Sequence, residues 1–172
     1  MPQPAASLFR VLALLAGLAA VAGCALDKEA DVRARLDGWL MLGDTLYFES
    51  NRDCTAGLFA LTGRTHRSGL KVSRNLSNGI TWIRQGRAVA FDMPGRSPTY
   101  ISERLTTEDL PNGLGVLSSG VTTTHCMTEE VKSAYVETLN AAGGLLIFDT
   151  EDNALAIVTA DRSHVFFARG GV

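Results

Sequence analysis

Apolar residues between positions 28 and 172 fall in short runs divided by Gly, Pro and Asx residues, and their spacing alternates between helical and strand-like. Val32, Leu36, Trp39 and Leu40 share one helical face, which predicts a helix from Lys28, capped by Asp27 and stopped by Gly43. Leu46 and Phe48 alternate with Tyr47, predicting a short strand over Thr45–Glu49. After Asn51–Asp53, the run Cys54–Leu61 reads as a second helix that ends before Gly63. Arg64–Asn78 is basic and poor in apolar residues, so a surface loop with room for a short ordered piece is expected there.

Ile80, Trp82 and Ile83 predict a helical turn or two ending near Gly86, and Ala88–Phe91 a buried strand broken by Pro94 and Gly95. Ser97 followed by Pro98 is a cap and first-turn pair for a helix through Leu105. Leu110, Leu114, Leu117 and Val121 recur at helical spacing, with Pro111 in the first turn, although Gly113 and Gly115 weaken that helix. Thr128 caps a helix from Glu129 to Leu139, whose acidic first turn suits the positive end of the macrodipole; Gly143 and Gly144 end it.

The remaining apolar runs are Leu145–Phe148, Ala154–Ala160 and His164–Ala168. Thr150–Asn153 and Asp161–Ser163 separate them at hairpin lengths, so a C-terminal antiparallel three-stranded meander is expected. Helices precede the meander, and no repeat or long charge block divides residues 28–172, which makes the chain a single small α+β domain with several short helices. Its 172 residues, 46% hydrophobic, suffice for one core and exclude a large multidomain enzyme. Sixteen basic residues against 18 acidic give a net charge of −2, without the basic excess that phosphate-dominated binding uses, so no nucleic-acid partner is expected.

The first residues change the picture. Arg10 and the free amine precede an apolar run from Val11 to Ala22, the layout of an export signal and too short for the roughly 20 residues of a membrane-spanning helix. Val21-Ala22-Gly23-Cys24 follows directly and resembles the lipobox of bacterial lipoprotein precursors, with an aliphatic residue, two small residues and a cysteine. That resemblance implies a signal peptide over residues 1–23, cleavage after Gly23 and a diacylglyceryl group on Cys24. Residues 24–27 then form a lipidated N-terminus and short tether, and 28–172 a periplasmic domain. Ala25 stands where lipoproteins retained in the inner membrane tend to carry Asp, so the resemblance favours the periplasmic face of the outer membrane. Beyond the lipobox, the chain resembles small bacterial lipoproteins of no known catalytic residues.

With Cys24 committed to lipid, Cys54 and Cys126 remain, and in an oxidising compartment a disulfide is the leading reading. A reactive Cys126 beside His125, or two unpaired buried thiols, stand as alternatives. Ser68-Gly69-Leu70-Lys71 has S-x-x-K spacing but no S-D-N or K-T-G partner, and Gly113-Leu114-Gly115 lacks the third glycine of a dinucleotide loop. His66, His125 and His164 lie far apart, and Asp149, Glu151, Asp152 and Asn153 lack the glycine and distal glutamate of a calcium loop, so no metal or other cofactor is expected. Arg64, Arg67, Lys71 and Arg74, with His66, form the one basic cluster and are the candidate contact for an anionic lipid surface or an envelope protein. Trp39, Trp82 and Tyr47 read as core aromatics rather than a carbohydrate platform. The expectation is a lipid-anchored binding or envelope-organising protein without catalysis; an envelope hydrolase with dispersed catalytic residues is the alternative.

Overall fold

The computed structural model describes residues 26–170, so the signal segment and Cys24 lie outside the described residues. Five α-helices and seven strands are present among them, in the order α1 (Glu29–Asp37), β1 (Leu42–Ser50), β2 (Cys54–Leu61), β3 (Lys71–Ser73), α2 (Leu76–Ile83), β4 (Val89–Phe91), α3 (Pro98–Glu108), α4 (Leu110–Thr122), α5 (Glu129–Asn140), β5 (Leu145–Asp149), β6 (Ala154–Val158) and β7 (His164–Gly170). A 3-10 turn, Thr123–Cys126, joins α4 to the approach of α5. The fold is α+β.

The strands form one sheet in the order β1-β2-β7-β6-β5-β4-β3. Only β3 and β4 pair in parallel; the other neighbours are antiparallel. The expected meander is β5-β6-β7, three strands at the centre of a seven-stranded mixed sheet rather than a sheet of its own. Its runs are buried on both faces, which is why they are continuously apolar instead of alternating. Leu146, Phe148, Leu155, Ile157 and Phe166 point to the face covered by α2, α3, α4 and α5. Ile147, Ala156, Val158, Val165 and Phe167 point to the other, where Val32 and Leu36 of α1 meet Leu40, Leu70 and Phe59.

Three expectations are corrected. Cys54–Leu61 is a strand. Short Ala- and Leu-containing runs do not separate the two states by composition, and pairing with β1 on one side and β7 on the other decides it. In the strand, Cys54, Ala56 and Leu58 serve one core and Phe59 the other. Asp27 does not cap α1, whose N-cap is Lys28 without a side-chain bond; its carboxylate takes a 2.7 Å hydrogen bond from Arg169 instead. Gly43 lies inside β1, and α1 ends at Asp37. Within Arg64–Asn78, Lys71–Ser73 forms the edge strand and Asn75 caps α2 through the Asn78 amide, 2.9 Å away. The caps expected at Ser97 and Thr128 are formed, accepting from the Tyr100 and Val131 amides.

Cys54 and Cys126 are joined in a disulfide, their Cα atoms 6.1 Å apart. It ties the first residue of β2 to the end of the 3-10 turn. The described chain starts at the same end of the sheet: the Leu26 amide donates to the Asn51 carbonyl at 2.7 Å and the Asp27 amide to Ser50 Oγ at 3.0 Å. Arg169 bridges Asp27 and Asp152, and Arg35 also pairs with Asp152, so charges that would be costly alone are held in a network.

Candidate functional site

α4 is built inside out. Its buried positions are Gly113, Val116 and Ser119, whereas Leu110, Leu114 and Val121 are 57%, 51% and 65% exposed and Leu117 is also exposed. The helix expected from the spacing of this apolar row is formed, but the row faces solvent, for a steric reason. A methyl on Gly113 would come within 2.3 Å of Thr106 Cα and 2.4 Å of its nitrogen, so the backbones of α3 and α4 meet where no side chain fits. On Gly115, a methyl would meet Asn153 Oδ1 at 2.5 Å and Phe148 Cζ at 3.1 Å. Close approach by this small-residue face leaves the bulky row pointing elsewhere, about a third of a turn around the helix.

Polar anchors fix that orientation. Asp109, buried at the α3–α4 junction, accepts from Arg84 Nε at 2.9 Å and Asn112 Nδ2 at 3.0 Å. Ser119 Oγ donates to the Asn153 carbonyl at 2.6 Å, and Thr123 Oγ1 to the Ser119 carbonyl at 2.6 Å. Both hydroxyls are buried and satisfied; the Thr123 bond lies within the helical run, but rotating α4 to bury its leucines would break the Ser119 bond to Asn153.

α3 packs against both α4 and α5, and an apolar groove of about 260 Å³ opens between the latter two. Val116, Leu117 and Val121 form one wall, Val136 and Leu139 the other, with Leu146, Leu155 and Tyr135 below. Val136 is exposed at the rim, extending the apolar row of α4 across the opening. Tyr135 is fully buried on Phe166, and burial pushes its phenol far above the ordinary range, so it stays protonated. Thr99 spends its hydroxyl on the Leu139 carbonyl. The groove thus offers burial without an acid, base or activated nucleophile, the chemistry of a site that holds an apolar group.

The other cluster with chemical interest is the β6–β7 turn. Ser163 Oγ lies 2.7 Å from His164 Nδ1 and 2.7 Å from both Asp161 oxygens, beside a hollow bordered by Glu137 and Thr138. The residue types are those of a hydrolase triad, but the connectivity is not. The carboxylate binds the serine instead of orienting the histidine. Hydrogen bonds from Thr159, Ser163 and the Ser163 amide hold Asp161 down at about 2, which marks it as the acceptor that closes a turn.

The residues singled out by sequence are dispersed. Cys24 lies outside the described residues. Arg64 is exposed beyond Leu61, at the end of β2 away from Cys54; Arg67 Nε donates to the Leu40 carbonyl at 3.1 Å; Lys71 opens β3 and Arg74 follows it, exposed. His125 is exposed and His164 serves the turn just described. Ser68 is in an exposed loop and Lys71 in a strand, so S-x-x-K is not on a helix, while Gly113-Leu114-Gly115 is helical. Asp152 is occupied by Arg35 and Arg169, and among the described residues no three His, Cys, Asp or Glu side chains converge as metal ligands. Trp39, Trp82 and Tyr47 pack against the two cores. The groove itself went unrecognised; the glycines interleaved with the leucines of α4 were its one sequence signal.

No family model, curated protein or solved structure matches the chain.

Proposed function

We propose that the protein is a lipid-anchored envelope domain, held through Cys24, that binds an apolar ligand in the α4–α5 groove and performs no chemistry of its own. The observation that carries this reading is the solvent-facing apolar row of α4 running into an apolar groove, since monomers rarely leave such surface contiguous without a use for it. The lipobox supports export and attachment, and Ala25 favours the outer membrane as the destination. A bound envelope protein or anionic lipid at Arg64, Arg67, Lys71 and Arg74 belongs to the same class of function, but those side chains are spread over a crossing loop and an edge strand.

The test uses the domain from Leu26 onward, exported without the lipobox, titrated with a fluorescent polyunsaturated fatty acid. Saturable binding is expected, weakened at least about tenfold when Leu117→Asp and Val121→Asp place charges at the groove mouth. No saturable binding would defeat the proposal. The hydrolase alternative rests on Ser163 and His164: labelling of Ser163 by a fluorophosphonate, lost in Ser163→Ala, would favour it over binding.

A further inference from the structure

Resting on that reading, we infer that the occupant of the groove is an acyl chain of bilayer phospholipid, and that α4 lies along the membrane that holds the anchor. Only Ala25 separates Cys24 from Leu26, so a lipidated sulfur stays within about 10 Å of Leu26 even if the chain is extended. Leu26 is itself fixed, bonded to Asn51 in the turn before Cys54.

The C-terminal half of α4 shares that end of the sheet. Cys54 pairs in register with Gly170, and a methyl on Gly170 would sit 3.0 Å from Thr122 Cβ and 3.2 Å from the Ser118 carbonyl. The disulfide then joins Cys54 to Cys126, four residues past the end of α4. Anchoring at Cys24 therefore brings the bilayer to the end of the molecule where Leu117 and Val121 are exposed.

Charge permits the contact. From Leu110 through Met127 the sequence contains no Asp, Glu, Lys or Arg, so α4 itself brings no ionised side chain to a bilayer; on the α5 rim Lys132, one turn before Val136 and with its side chain 43% exposed, suits an anionic headgroup. Among the described residues no helix is long and apolar enough to cross a membrane; α4, about 20 Å long, has the length to lie in the interface instead. With the leucine row at the headgroup boundary, the groove mouth opens beside acyl chains. Any chain in the groove leaves the bilayer, but phospholipid chains at its mouth far outnumber the protein's own anchor chains, and a phospholipid that enters takes nothing from the multi-chain hold on the membrane.

The experiment uses the full, processed and lipidated protein in vesicles of phosphatidylethanolamine and phosphatidylglycerol. Leu114→Cys, Val121→Cys and, on α1 across the sheet, Ala34→Cys each receive a thiol-reactive fluorophore; all three positions are exposed. Labels at Leu114 and Val121 are expected to lose most of their emission when the vesicle lipids carry brominated chains and to resist aqueous iodide, with the reverse at Ala34. Iodide access equal to that at Ala34 overturns the docking. Shielding from iodide without quenching by brominated lipid also overturns it, because the cover is then the anchor's own chains or a second copy. Both outcomes leave fatty-acid binding by the unanchored domain to decide the underlying reading separately.

Discussion

Burial pushes the Asp149 carboxyl above its ordinary range, with the neighbouring Asp152 charge adding to the effect and the Glu151 amide and Arg35 opposing it. A carboxyl raised in the folded state stabilises the fold while protonated, below the unfolded value of about 3.9, and loses that contribution as pH rises through the folded value. Asp149→Asn keeps an acceptor for the Glu151 amide, 3.1 Å away, and removes the titration. Urea denaturation at pH 4 and pH 7 is expected to show the variant gaining on the wild type at the higher pH. Asp161 has the opposite sign: its contribution is present above the unfolded value and fades as pH falls through about 2. The disulfide acts on the unfolded chain. Closing a 72-residue separation is worth about 4 kcal/mol in the loop-entropy estimate, so denaturation of the Cys54→Ser, Cys126→Ser double variant is expected to show a loss of that order.

Among the elements, α4 departs most from ordinary helical patterning, and substitutions there are expected to invert the usual rule. Leu114→Ser, at an exposed position, leaves the melting temperature nearly unchanged, while Val116→Ala, two residues on and buried, costs on the order of 2 kcal/mol. Gly113→Ala forces the α3 and α4 backbones apart at a cost of about 3 kcal/mol. Thermal denaturation of the three variants checks the order. The same helix shows where the sequence was readable. Spacing located α4, and the caps at Ser97 and Thr128 located α3 and α5, because these signals are local. Which face of α4 is buried depends on how closely α3 and the sheet approach, a distance no local pattern contains. β5, β6 and β7 were legible because turn residues bound each apolar run. β2 was not, since its state is set by hydrogen bonds to β1 and β7, and three-residue β3 is too short to show a period.

At the scale of the whole molecule, the proposed function joins an anchor at Cys24 to the α4–α5 groove. Cys24→Ser is expected to leave an unprocessed precursor, because only the thiol can accept the lipid; mass measurement of the membrane fraction would show cleavage after Gly23 if that expectation is wrong. The basic residues sit less favourably, Arg64 lying one strand length, about 25 Å, from the end where Leu26 is held. Neutralising Arg64, Arg67, Lys71 and Arg74 together is therefore expected to leave vesicle association of the lipidated protein unchanged in a flotation assay. The groove was the part of the site least legible in advance, since its walls are two helices that each pack on α3, α4 through the close contact at Gly113 and α5 separately, and that mutual placement is not a local property. Its occupancy is read most directly by titrating the isotopically labelled domain with a medium-chain fatty acid and following each backbone amide by NMR. Binding in the groove shifts Val116, Leu117, Gly120, Val121 and Leu139 and leaves Ser163 and His164 in place; no shifts, or shifts gathered at Thr159–His164, would contradict it.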